Sequence, residues 1–319
     1  MAVPSSGALD LKDLQDEFGG SNPISISEYY RGGSLVPTNN TDVPTSGTIA
    51  LSDFYGAVNE IGVTASAAAS ANLKTLFDNA SAGSWASAVP KKYTINNGTT
   101  MGILTAPASM GGTLAINNSG NIQGEGGNSS GEAGHTAMTV QSTGITINML
   151  SGSTLSGGAG AGGVGGAGGN GYYISDAGFN ACNGCSTGYT YSVVCSCCCN
   201  GCSNEGNPGN INRCGNYNGT TGGAGGSIGN GIGYNQAQSN GGSGASGSGA
   251  NAGTGGTSGN GGSTFASAGA NGSTGANGNV SNGSGGATGG AAGRAVTFSG
   301  VSAYTIIGTN SGTIHGAYT

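Results

Sequence analysis

All eight cysteines of the 319-residue chain fall between Cys182 and Cys214. Two CNGC units, Cys182–Cys185 and Cys199–Cys202, are separated by 13 residues, and Cys195, Cys197, Cys198 and Cys214 crowd around them. Paired CxxC units are the ligand pattern of a zinc ribbon, whose spacer is usually roughly 15–20 residues. An even cysteine count in an oxidising setting favours disulfides instead, which pin a loop short of apolar core. Disulfides, a metal site and free thiols all suit the pattern, and zinc here is the one cofactor the sequence admits.

The same stretch gathers aromatic rings: Tyr172, Tyr173, Phe179, Tyr189, Tyr191 and Tyr217, with Tyr234 further on. Tyrosine and tryptophan dominate binding hot spots, and tyrosine amid Ser, Gly and Asn is the composition of antibody-like contact loops. These rings are the candidate receptor-binding residues. They equally suit internal caps on whatever elements carry them.

Catalytic chemistry finds no constellation. The two histidines, His135 and His315, sit in turn-like contexts, and no carboxylate pair suggests glycoside hydrolysis. No phosphate loop or nucleophile elbow appears, so the expectation is a protein that binds rather than an enzyme. Net charge is −6, and beyond His135 the only charged residues are Asp176, Glu205, Arg213 and Arg294. So few cations exclude nucleic acid as a partner. No run approaches 18 apolar residues, and residues 1–30 lack a basic start with an apolar run. The expectation is synthesis in a cytoplasm, without secretory export or membrane insertion.

What could position such a loop is written in glycine. Residues 157–171 read GGAGAGGVGGAGGNG. Gly157, Gly160, Gly163, Gly166 and Gly169 form one column, and Gly162, Gly165, Gly168 and Gly171 another. The third, Gly158, Ala161, Val164, Ala167 and Asn170, varies. A period of three is that of the polyproline II helix. The frame returns at Gly241, Gly244, Gly247, Gly253, Gly256, Gly259 and Gly262, broken only at Ala250. It restarts at Gly269–Gly278 and at Gly283–Gly289, with a weaker start at Gly222 and Gly225. Collagen would hold one unbroken frame with proline. Restarting frames predict short rods joined by turns, whose backbones bond to one another because side-chain-free columns let them approach. A flexible Gly/Ser linker is the competing reading. Leu, Ile, Val and Phe make up only about 15% of the chain, so a large ordinary core is not available.

Two further patterns flank the glycine region. Residues 1–57 carry VPSSGALDLKDL from Val3, ISISEYYRGG from Ile24 and VPTSGTIALSDF from Val43. Leu11, Leu14 and Phe18 mark one face of a short helix ending at Gly19, while Ser27 and Ser52 read as N-caps. With Tyr29, Tyr30, Phe54 and Tyr55 they define a small aromatic-pinned docking module. Residues 58–155 predict a helix over 65–80, with Leu73, Leu76 and Phe77 inward, then alternating strands from Lys92. AINNSGNIQGEGG (Ala115), INMLSGSTLSGGAG (Ile147) and IGTNSGTIHGA (Ile307) repeat one strand-turn device, and AGHTAMTVQSTGITI (Ala133) resembles AGRAVTFSGVSAYTI (Ala292). These devices predict a β-cap closing each end of a glycine bundle, with boundaries at 58–155, 156–290 and 291–319. The fold class expected is non-regular and β: a polyglycine II bundle with β-strand caps after an N-terminal docking module.

Glycine-rich islands separated by variable loops, ending in NSGTIHGA, resemble the tip adhesins of bacteriophage tail fibres. SGALDLKDLQDEFGGSNPISISEYYRGG is similar to N-termini of phage tail and fibre structural proteins. The resemblance is one of pattern and spans residues 1–57 and 110–319; the cysteines have no counterpart in it. It implies a sandwich of polyglycine II helices whose distal loops recognise a bacterial surface protein or glycan. It also implies a virion location, attachment to other tail or fibre proteins through residues 1–57, and manufacture in the host cytoplasm. A purely structural virion protein, or an ice-binding polyglycine protein, are the other readings.

Overall fold

The structure is a computed structural model that describes residues 3–65, 69–176, 215–234, 236–301 and 307–318. Three sheets of parallel strands run through residues 61–315. The first orders β1 (Ile61–Thr64), β3 (Lys91–Ile95), β6 (Leu114–Asn118), β9 (Ile145–Met149) and β14 (Ile307–Asn310). The second contains β4 (Thr100–Met101), β7 (Asn121–Gln123), β10 (Thr154–Ser156) and β15 (Thr313–His315). The third contains β2 (Ala71–Asn72), β5 (Leu104–Ala106), β8 (Met138–Val140) and β13 (Val296–Phe298). The chain visits the sheets in rotation, so each circuit lays one rung on the last: a three-sided parallel β-solenoid.

Its interior follows from the alternation in the sequence. β6 and β9 pair in register, Ile116 against Ile147, and both are fully buried. Ile122 and Leu155 stack in the second sheet, with Ile314 beyond them. Asn148 Nδ2 donates to Asn117 Oδ1 at 2.8 Å, a rung-to-rung amide ladder on the outer face. The repeated strand-turn device is therefore the corner of a rung. Its three copies lie directly on one another, and the predicted β-cap at each end is corrected: the strands of 291–319 belong to the same solenoid as those of 58–155. The predicted helix over 65–80 is shorter. Among the described residues of that span only α2 (Leu73–Ala80) is helical, because Ala71 N–H bonds Ile103 C=O in β pairing and Asn72 Oδ1 accepts from Thr75 N–H at 3.3 Å as the cap. Leu73 and Phe77 are buried as expected, with Leu76 packed at the edge of the core.

The glycine-rich region leaves the fourth rung after β10 and returns at β13. Six segments, 157–170, 222–233, 239–248, 252–262, 269–279 and 281–293, run side by side and bond laterally every third residue. Gly160, Gly163, Gly166 and Gly169 donate to Ser267, Ala270, Ser273 and Ala276, both series ascending. Gly253, Gly256, Gly259 and Gly262 donate back to Gly169, Gly166, Gly163 and Gly160, one series ascending and the other descending. The first segment is central, with neighbours also at 132–135, 222–233 and 281–293. Both glycine columns face backbone: a Cβ on Gly163 would overlap Ala287 C=O, and one on Gly165 would overlap Gly256 C=O. The varying column turns outward at Val164, which is 38% exposed. One expectation is corrected. The frame from Gly241 to Gly262 is not one rod; the break at Ala250 is a reversal, with Asn251 at φ 65°, joining two antiparallel segments.

Residues 3–57 form a module with its own core. Asp10 caps α1 (Leu11–Phe18), accepting from Lys12 and Asp13 N–H. Phe18, Tyr29 and Phe54 pack ring to ring at 6.2–6.4 Å between centroids. Ser27 and Ser52 are not caps. The two single-turn 3₁₀ helices, Ile26–Tyr29 and Leu51–Phe54, begin two residues earlier than such caps would place them, with Ser25 and Ala50 at the cap positions, and at the second Asp53 accepts from Ala50 N–H at 2.9 Å.

Candidate functional site

The bundle has two unlike ends. At the base, Gly157 N–H bonds His315 C=O and Ala266 N–H bonds Gly157 C=O, so the glycine segments rise directly from the solenoid. At the far end an antiparallel ribbon leaves the lattice: β11 (Gly171–Asp176) against β12 (Gly215–Thr220). Tyr172 lies opposite Gly219, Tyr173 opposite Asn218 and Ile174 opposite Tyr217. The ribbon leads into 177–214, so Phe179, Tyr189, Tyr191 and all eight cysteines lie outside the described residues.

Two reversals between glycine segments meet the ribbon's base. Tyr172 N–H donates to Asn279 Oδ1 at 2.8 Å, and Tyr172 C=O accepts from Asn251 Nδ2 at 2.9 Å and Asn279 Nδ2 at 3.0 Å. On the other strand, Thr220 Oγ1 donates to Ala250 C=O at 3.1 Å. Tyr173, 40% exposed, and Val280, 54% exposed, give this end an aromatic and an aliphatic surface. Tyr172, Tyr173 and the backbone of Tyr217 thus lie on the two paired strands of one ribbon. Tyr234 does not join them: its N–H bonds Gly124 C=O at the base, and its ring lies beside Gly102.

The residues assigned to docking divide between core and surface. Leu14, Phe18, Tyr29 and Phe54 are buried within the module and are not available to a partner. Tyr55 is 38% exposed, with its hydroxyl on Gly7 C=O; Tyr30 donates to Gly47 C=O, and Leu11 is half-buried. The buried rings Phe18, Tyr29 and Phe54 are each the last residue of a helix, whereas Tyr30 and Tyr55 stand one residue beyond. Residues 1–60 also hold eight of the thirteen acidic and two of the seven basic residues, leaving five of each beyond. The whole net charge of −6 is therefore carried by residues 1–60.

Two polar features escaped the sequence reading. Lys91, 1% exposed, donates from Nζ to Ser87, Val89 and Gly111 C=O at 2.8–2.9 Å, and burial lowers its pKa. At the base, Glu132 accepts from Asn128 N–H, Ser129 Oγ and Ser129 N–H, which lowers its pKa to about 2. His135 lies 3.3 Å from Glu132 and 3.5 Å from Glu125. Among the described residues no group of His, Cys, Asp and Glu is arranged to hold a metal ion, and no helix is long and apolar enough to cross a membrane.

A search of solved structures finds the adhesin tip complex (gp37–gp38) of the bacteriophage S16 long tail fibre, at 17% identity and TM-score 0.38 over 100% of both chains. This chain is similar to a phage adhesin tip. No protein-family model matches the sequence, and no curated protein matches it.

Proposed function

We propose that this protein is a bacteriophage tail-fibre or tail-tip adhesin that recognises a bacterial surface protein or glycan through the ribbon at the far end of the bundle. The observation that carries the reading is the ribbon itself: β11 and β12, the two strands that flank residues 177–214 in the sequence, leave the end opposite the solenoid and carry Tyr172 and Tyr173 there. The glycine segments are read as polyglycine II rods, supported by lateral bonds at three-residue steps and by columns that admit no Cβ. Such a lattice is a stiff pedestal, because its peptide groups are bonded between rods as well as hydrated. Residues 1–57 are read as the attachment element to other tail or fibre proteins, and their acidity implies a basic partner surface whose association weakens with salt.

Fluorescently labelled full-length protein should bind a subset of bacterial isolates saturably. A variant in which 173–218 is replaced by a short Gly-Ser linker should bind none of them. Uniform failure of the intact chain to bind would leave the structural virion protein as the better reading. Deleting residues 1–57 should spare cell binding and abolish incorporation into particles. On cells that bind, a reductant alone should release the protein if disulfides order 177–214, and a chelator alone if zinc does.

A further inference from the structure

We infer that Asn251 and Asn279 are positioning residues that fix the direction in which the ribbon leaves the lattice; this rests on the ribbon being the recognition element. Other lattice asparagines hold rod to rod. Asn271 Oδ1 takes Gly289 N–H, Asn277 Oδ1 takes Gly283 N–H, and Asn260 Oδ1 takes Gly241 N–H, each at 2.9–3.0 Å. Among the described asparagines, Asn251 and Asn279 reach the ribbon, and both close on the backbone of one residue, Tyr172.

Asn279 copies a neighbouring strand, accepting the Tyr172 N–H and donating to its C=O through one planar amide. Asn251 fills the second lone pair of that carbonyl. The two asparagines come from different reversals, and Asn279 N–H bonds Asn251 C=O at 3.1 Å, so the reversals are themselves joined. With Thr220, 8% exposed, tied to Ala250, both strands are held where the glycine frame stops. A two-stranded ribbon is marginal alone, so side-chain clamps at its root decide whether the segment beyond is presented in one orientation. Asn251 reaches its position at φ 65°, a conformation asparagine tolerates better than most residues.

Amide hydrogen exchange on the full-length chain tests this without a receptor. In the double variant Asn251→Ala, Asn279→Ala, exchange at 172–176 and 215–220 should rise about tenfold or more, since three hydrogen bonds to the backbone of Tyr172 are lost. Exchange at Gly256 and Gly259 should stay unchanged, and Tm should move no further than in the control Asn271→Ala. On cells that bind the unaltered chain, affinity should fall about tenfold. Asn279→Asp, which keeps the acceptor and loses the donor, should fall between wild type and Asn279→Ala. The inference is overturned by an unchanged ribbon, by ribbon and lattice loosening together, or by loosening without loss of binding. If instead the linker variant lacking 173–218 still binds cells, the recognition reading fails, whatever the clamp does.

Discussion

In the solenoid, Trp85, Tyr93, Ile95, Met101, Leu104 and Leu114 fill the interior with almost no exposure. In the glycine segments, the fully buried residues that carry side chains are Ala159, Ala161 and Ser258, and the valines Val164 and Val280 face out. The first region is specified by volume, because close packing penalises a missing methylene. The second is specified by the lack of volume, because its rods sit at backbone-to-backbone distance. Both hold their peptide groups in lateral hydrogen bonds; they differ in what a side chain does to that arrangement. Substitutions of opposite sense should therefore injure the two regions.

The largest effect is expected from adding volume to the lattice. Gly163→Val, whose Cβ would overlap Ala287 C=O, should cost about 4 kcal/mol or more in denaturant unfolding. Val164→Ala, one residue on and exposed, should cost less than about 0.5 kcal/mol. Equal tolerance at the two positions would erase the distinction. Removing volume from the solenoid comes next: Ile147→Ala should cost about 3–4 kcal/mol.

A smaller loss is expected where a side chain substitutes for backbone in the lattice. Ser258 Oγ accepts from Gly165 N–H at 2.9 Å and donates to Gly226 C=O at 2.5 Å, bridging two rods that do not bond directly there. Ser258→Ala should cost about 1–3 kcal/mol by chemical denaturation, because both backbone groups lose their partner. The smallest effect is electrostatic. Glu132 has a lower pKa folded than unfolded, so the folded state binds fewer protons near pH 4. Its contribution is complete above about pH 4.5 and is lost as pH falls toward 2. With a side chain 29% exposed, the loss should stay near about 1 kcal/mol. A Glu132→Gln variant, already lacking the carboxylate, should show a flatter acid limb in unfolding.

The glycine frames were readable because three-residue spacing needs no knowledge of a partner: the column that faces a neighbour is the column that cannot vary. The reversal at Ala250 was hidden because the frame happens to resume in phase after the turn. The rung corners were visible as aligned strings from Ala115, Ile147 and Ile307, but their meaning was not. Excursions of unequal length, above all the whole glycine region, separate the copies and conceal the regular period of a solenoid. Lys91 was illegible for another reason. Its three carbonyl partners come from 87–89 and 111, and only the folded circuit brings them together. The clamp asparagines look like every other Asn in the glycine frames; what sets them apart is the ribbon they face.

The insertion point of the bundle also orders events in time. The first three rungs, from β1 through β8, close with modest excursions and have neighbours as soon as they emerge from synthesis. The fourth rung cannot: β13 reaches β8 only after residues 157–295 have been made and folded back on themselves. Loop-closure entropy grows slowly with length, but pairings this distant in sequence form late. Until then the open edges of β8, β9 and β10 are exposed to pairing with another chain. Slow or stalled assembly of the glycine rods would therefore show itself as solenoid-mediated aggregation during expression, even though the lesion lies in a different part of the molecule.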